Sequence, residues 1–240
     1  MIGICDEVMT GLSYFPWNGA NCSVHDMVSV LSNSWLSDYH IDSVLTKISQ
    51  HYFYHYGAEA SSCHTFLPVF DIGAIVSAYK SCGYHGHAED KGKHLLEVEN
   101  SIILGHIHSV AGVLHLHNHW TSLVVTFRPP RIFYGDSLGK PMPSDKASSF
   151  RQWISHMSSW SGYKVQESDI SIYPLEIVSQ QDSNSCGLLA LNAISHYYLQ
   201  QNSPLLQADA LSLARYRMEI ALELLQEGAV SLFLCKVYFI

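Results

Sequence analysis

The segment that most constrains this chain is Gln180-Gln181-Asp182-Ser183-Asn184-Ser185-Cys186-Gly187, which runs straight into Leu188-Leu189-Ala190-Leu191-Asn192-Ala193-Ile194. Polar, turn-prone residues followed by an apolar run predict a buried helix with a cysteine in its first turn. The unpaired backbone N–H groups at a helix N-terminus carry partial positive charge, which stabilises a thiolate and makes the sulfur a nucleophile near neutral pH. A lone Cys-Gly at such a place is more often a packed, inert residue. It becomes chemical only with a base beside it and an orienter for that base.

Both are available upstream. His119-Trp120 opens the β-branched and aromatic run Thr121-Ser122-Leu123-Val124-Val125-Thr126-Phe127, and Arg131-Ile132-Phe133-Tyr134-Gly135 is a second run closing at Asp136-Ser137. Pro129-Pro130 between them cannot donate to a ladder and predicts a hairpin turn, with His119 entering the first strand and Asp136 leaving the second at the same open end. Counted from that turn, His119 lies about four residues further out than Asp136, an offset for a bulge or a pre-strand loop to absorb. The chain order is His119, Asp136, Gln180, Cys186, with 17 residues between the first two and 50 from Asp136 to Cys186.

Taken together, these motifs resemble the cysteine proteases that process ubiquitin-like proteins such as SUMO and NEDD8, the adenain-like group. The N-terminal side agrees: Asp26, Leu31 and Trp35-Leu36-Ser37-Asp38, followed by Ile41, Val44, Leu45 and Ile48 at helical spacing, resemble that family's Trp-Leu-Asn-Asp segment and first long helix. Four ordered motifs over roughly residues 26–196 are more specific than any one of them. The resemblance implies His119 as general base, Asp136 as its orienter, Cys186 as nucleophile and Gln180 as side-chain donor to the oxyanion. Gln181, adjacent, is the alternative donor, and spacing to the cysteine in the family favours Gln180. Trp35 and Trp120 match two tryptophans that flank a narrow substrate-binding tunnel, through which a Gly-Gly tail passes because glycine lacks a Cβ. Their ordinary role would be as core aromatics. Asp136 by itself could simply cap the loop after its strand, but its place in the ordered set makes that the poorer reading.

Two positions depart from the family pattern. Ser185 stands where an acidic residue usually precedes the cysteine, and Gly135 stands where an aromatic usually precedes the Asp-Ser pair. Neither removes a reacting group.

Fifteen histidines invite a metal reading, with His115-Leu116-His117, His85-Gly86-His87, Cys63-His64 and the pair His51 and His55. No Cys-x-x-Cys or His-Glu-x-x-His spacing accompanies them, so neither a metal nor a cofactor is expected. In a strand Val113–His117, the two histidines share a face with Val113, and a half-exposed sheet surface accounts for them. Thirteen basic against 21 acidic residues, a net charge of −8 without a Lys/Arg cluster, argue against nucleic acid. The expected partner is a protein, a ubiquitin-like modifier and its conjugates. An acidic enzyme is steered toward basic surfaces, which keeps ubiquitin open beside SUMO and NEDD8.

At 48% hydrophobic residues, 240 residues suffice for one core, read as a single catalytic domain over 1–240. No apolar run reaches membrane-spanning length, Met1–Pro16 lacks the signature of a signal peptide, and six scattered cysteines show no disulfide framework. The chain therefore reads as intracellular, in nucleus or cytoplasm, with reduced thiols.

Along the chain the pattern predicts an irregular stretch to Asn33, with a strand or arm packed on the core, and a helix over 38–54. A loop over 57–65 and helical spacing over 66–79 follow, then a mobile loop over 83–93. Strands are predicted over 95–104, 110–116 and 170–178, and helices over 144–160, 186–199 and 208–226, with 230–240 unplaced. Helices around a central, mostly antiparallel sheet give an α+β fold of papain-like, adenain type, with the cysteine on a helix and His and Asp on the sheet. The expected activity is cleavage after the C-terminal glycine of a ubiquitin-like modifier such as SUMO, through a Cys-His-Asp triad and a thioester. A deubiquitinase or NEDD8 protease, an acyl-CoA-dependent acyltransferase and a non-catalytic modifier binder are the alternatives.

Overall fold

A computed structural model describes residues 14–17, 20–32, 34–79, 92–162 and 164–222. The predicted loop over 83–93 and the unplaced 230–240 segment lie outside them, except that Gly92 and Lys93 open a helix. In the stretch read as irregular with a strand or arm, strands β1 (Tyr14–Trp17) and β2 (Ala20–Ser23) pair antiparallel and lead into helix α1 (Val24–Leu31), which was not expected.

The centre is a five-stranded sheet in the order β3 (His64–Phe66), β4 (Ser109–His115), β5 (Trp120–Phe127), β6 (Pro130–Gly135), β7 (Ser171–Pro174). The long central ladders β4/β5 and β5/β6 are antiparallel, and the short edge ladders β3/β4 and β6/β7 are parallel. Side chains alternate across the sheet, as the two-residue strand period requires. Ala111, Val113 and Val124 face a core with helix α2 (Asp38–Ser62) and helix α6 (Cys186–Leu199). Val110, Leu114, Leu123, Val125 and Ile132 face a second core with helices α3 (Val69–Ala78), α4 (Lys93–Ile103) and α5 (Ser144–Trp160). With both faces covered, β4 and β5 are buried almost throughout. Helix α7 (210–222) packs Leu213 and Ile220 on the first core.

The α+β architecture and the boundaries of α5 and α6 agree with the sequence reading. Several local readings are corrected. Residues 95–104 are not a strand but lie within α4 and its C-cap Leu104, and the buried Leu95, Val98, Glu99 and Ile102 share one helical face; a short apolar run does not by itself reveal its period. The predicted loop over 57–65 is instead the continuation of α2, bent where Gly57 takes φ 81°, followed by β3. The strand predicted to Val178 ends at Pro174, which cannot donate onward. Finally, β4 stops at His115. Val113 is fully buried, and His117 sits in the following turn at φ 58°, so no half-exposed strand face carries the two histidines.

Candidate active site

Residues Arg128 and Pro129 form the predicted hairpin turn, with Phe127 opposite Pro130 and Ser122 opposite Gly135. That register puts Asp136 level with Thr121, so His119 is offset by two residues rather than four, and lies in the short pre-strand loop. The gap closes through side chains: His119 Nε2 lies 2.7 Å from Asp136 Oδ1. Asp136 is almost wholly buried, its side chain 2% exposed, while the imidazole is 15% exposed. Oδ1 also accepts the Leu138 N–H at 2.7 Å, and the Tyr134 hydroxyl makes a longer 3.5 Å bond to Oδ2. The capping role and the imidazole-holding role thus coexist on one carboxylate.

Cys186 is the first residue of α6, 1% exposed. Burial pushes its thiol above the usual range, against the downward pull of the Trp120, Gly187 and Cys186 backbone N–H groups; the charge of Asp182 adds to the rise. The helix N-terminus therefore acts as expected, but desolvation outweighs it. Trp120 follows His119 directly, so the amide that meets the sulfur belongs to the residue next to the imidazole. Gly187 makes that approach possible: a Cβ there would come within 3.2 Å of the Trp120 ring, 3.3 Å of Ile41 and 3.4 Å of Leu36.

Gln180 is docked on the Asp-Ser turn. Its backbone N–H donates to the Ser137 carbonyl at 2.8 Å, and the buried Ser137 hydroxyl donates to Gln180 Oε1 at 3.0 Å. This fixes the amide so that Nε2 donates to Asp182 Oδ1 at 3.1 Å with one hydrogen left over. Gln181 instead points its amide at the Ser179 carbonyl, exposed. Asp182 organises the loop, its carboxylate accepting the Asn184 and Ser185 N–H groups and the Ser185 hydroxyl. These bonds hold its own pKa down despite burial. Ser185, in the position where the family prefers an acid, is thus hydrogen-bonded to one.

Trp35, His119, Asp136 and Gln180 all line one cleft of about 610 Å³. Cys186 and Trp120 do not contribute to its wall; Trp120 is 3% exposed, and its indole N–H donates to the Leu36 carbonyl at 2.9 Å. Trp35, by contrast, is 42% exposed. His115 lies against the Trp120 ring, 4.3 Å between centroids. The glycine at 135 also has its reason: a Cβ there would stand 2.5 Å from Ser122 Oγ and 3.2 Å from the Leu175 carbonyl oxygen. Sequence reasoning gave no role to Ser137, although it stands in the Asp-Ser pair, or to Asp182, although it stands in the cysteine motif.

The family model of the Ulp1 protease family, C-terminal catalytic domain, matches residues 34–228. No curated protein matches the chain. Among solved structures, the chain is similar to the Ulp1-like SUMO protease catalytic domain of Chaetomium thermophilum, at 16% identity and TM-score 0.68 over 93% of this chain and 88% of that one. It is also similar to the SUMO protease Ulp1 with its catalytic cysteine oxidised to a sulfenic acid, at 14% identity and TM-score 0.68 over 94% of each chain. A third similar structure is the Ulp1 protease domain in complex with Smt3, the yeast ortholog of SUMO, at 15% identity and TM-score 0.62 over 90% of each. At these identities the structural likeness is one of fold, and the family match covers most of the chain. The chain belongs to the Ulp1 protease family and is a cysteine protease.

Proposed function

We propose that this protease cleaves after the C-terminal glycine of a ubiquitin-like modifier, with SUMO as the first candidate substrate and NEDD8 or ubiquitin as alternatives. The observation that carries the reading is the 2.7 Å His119–Asp136 pair next to the Trp120 amide that meets the Cys186 sulfur. A carboxylate only accepts, so Nε2 of His119 holds the shared hydrogen and Nδ1 is the basic nitrogen. Nδ1 takes the thiol proton, the thiolate attacks the glycine carbonyl carbon, and negative charge moves to the carbonyl oxygen. The spare Gln180 amide hydrogen and the Cys186 backbone N–H would receive that charge, each donor being worth about 3–4 kcal/mol. Collapse breaks the C–N bond, the amine leaves with the proton from His119, and a thioester remains. Water, deprotonated by His119, then releases the carboxylate and restores the thiol.

The buried sulfur fits this substrate class. With Trp120 and Leu36 packed on Gly187 and Trp35 at the cleft rim, a chain reaching Cys186 must be slim, as a glycine tail is. The substrate named in the Smt3 complex supports SUMO first. The test is a panel of SUMO, NEDD8 and ubiquitin probes carrying a C-terminal thiol-reactive group, applied to the native chain and to Cys186→Ala. Labelling by one probe, lost in Cys186→Ala, is the expected result. A folded protein labelled by none would sink the reading.

A further inference from the structure

We propose that Arg217 is a positioning residue of the thiol site: from α7 its guanidinium clamps the Trp35 segment to the cysteine loop and holds a buried positive charge behind Cys186. The assignment rests on the reading of Cys186 as the nucleophile.

Arg217 is 3% exposed. Its Nη1 donates to the Val30 carbonyl at 3.0 Å, and its Nη2 donates to the Ser34 carbonyl at 3.1 Å, with a longer 3.5 Å contact to the Asn184 carbonyl. Ser34 immediately precedes Trp35 and Asn184 stands two residues before Cys186, so one side chain joins the cleft rim to the loop that delivers the sulfur. A neutral donor could perform that tethering. A guanidinium brings in addition a charge that does not titrate, at a site where burying an ion is costly unless something answers it.

What answers it is informative. Among the described residues no carboxylate lies within ion-pair distance of Arg217; three carbonyl dipoles surround it instead. The anionic groups it senses are Asp182 and the Cys186 sulfur. Four charged or titratable groups lie on the segments that meet at the cysteine loop: Asp182 from the loop itself, His119 with Asp136 behind it from the sheet, next to the Trp120 amide that meets the sulfur, and Arg217 from α7. Burial and Asp182 oppose the thiolate. Arg217, reaching the Asn184 carbonyl two residues before the sulfur, brings a fixed positive charge to that loop, one that remains when His119 has given up its proton.

The experiment is the pH dependence of iodoacetamide alkylation, read by mass spectrometry on the Cys186 peptide, in the native chain, Arg217→Lys and Arg217→Met. The expected result is a midpoint raised by about one pH unit in Arg217→Met and close to native in Arg217→Lys, which keeps the charge. A native midpoint in Arg217→Met, or an equal rise in both variants, overturns the assignment, since a purely structural tether would not distinguish charge. Should Arg217→Met not fold, the side-chain nitrogen resonances of Arg217 in native protein decide: they must titrate with the thiol midpoint, and resonances that stay still across it overturn the proposal. A native Cys186 that alkylates like an ordinary exposed thiol would remove the nucleophile reading and this one together. A raised native midpoint that Arg217→Met leaves in place would remove only the role of Arg217.

Discussion

Two cavities lie at opposite ends of α6, and the larger is not the one with the groups proposed for catalysis. At the N-terminal end, the cleft of about 610 Å³ gathers His119, Asp136 and Gln180 beside Cys186. At the C-terminal end, a cavity of about 1320 Å³ is walled by Tyr52, His64, Arg128, Arg131, Tyr197 and Tyr198. Its polar groups satisfy one another: the Ser109 hydroxyl bridges His64 Nδ1 at 2.7 Å and the Tyr198 hydroxyl at 2.8 Å. Burial keeps Tyr198 protonated far above the usual tyrosine range, and burial together with His108 pushes His64 down toward neutrality. The smaller cleft instead pairs a buried carboxylate with a part-exposed imidazole whose second nitrogen has no partner among the described residues, and the next residue along the chain, Trp120, turns its amide to the Cys186 thiol. Volume measures room for a ligand, whereas reactivity follows from groups that converge with a hydrogen-bonding position unfilled.

The sharpest way to break this contrast is to cut one residue from each end. Cys186→Ala abolishes turnover of whichever modifier the probes identify, whereas Arg131→Ala at the other end leaves kcat within about twofold. Asp136→Asn follows, with kcat falling on the order of 10³–10⁴-fold while the fold survives, because an amide can present the wrong partner to Nε2. Gln180→Ala lowers kcat about 10²–10³-fold with little change in KM, and Gln181→Ala changes neither; the reverse order would reassign the donor. At the far cavity, Tyr198→Phe strands the Ser109–His64 pair and lowers Tm by about 2–4 °C with kcat unchanged. The smallest effect lies outside both. Asp42 accepts the Val69 N–H at the start of α3, and burial, with the charges of Asp38 and Asp71, raises its pKa from 3.8 to about 6. The fold therefore favours the protonated acid, and ionisation destabilises as the pH rises from 3.8 through 6. Asp42→Asn keeps the Val69 acceptor and should raise Tm modestly above pH 6, with the gain vanishing below about pH 4. A gain that persists at low pH would refute the buried-charge explanation.

What could be read from sequence follows from how local each signal is. The α6 boundary was legible because Cys186-Gly187 and Asn202-Ser203-Pro204 bracket an apolar run, and the β5–β6 hairpin because Pro129-Pro130 punctuates it. The order of His119, Asp136, Gln180 and Cys186 survived translation into space since two of them flank one hairpin and two flank one loop. Residues 95–104 misled because two adjacent leucines and two adjacent isoleucines fit either period until it is known which face is covered. Gly57 hid a bend that lets α2 continue where glycine suggests a break. Arg217 was illegible as part of the site: two of its three acceptors lie more than 180 positions away along the chain. The thiol was misjudged in degree, because a helix terminus is visible in sequence and the depth of burial is not.

That depth also acts as a steric filter on covalent chemistry. Cys63, partly exposed at the end of α2, is more accessible than Cys186, which lies beneath packed side chains. Bulky electrophiles such as aromatic maleimides should therefore mark Cys63 ahead of Cys186. An inhibitor aimed at Cys186 needs its reactive carbon on a thin, unbranched stem, and any branch next to that carbon would be excluded before reactivity mattered. Selectivity for this enzyme over exposed thiols can thus be designed into the shape of the stem, leaving the warhead itself mild.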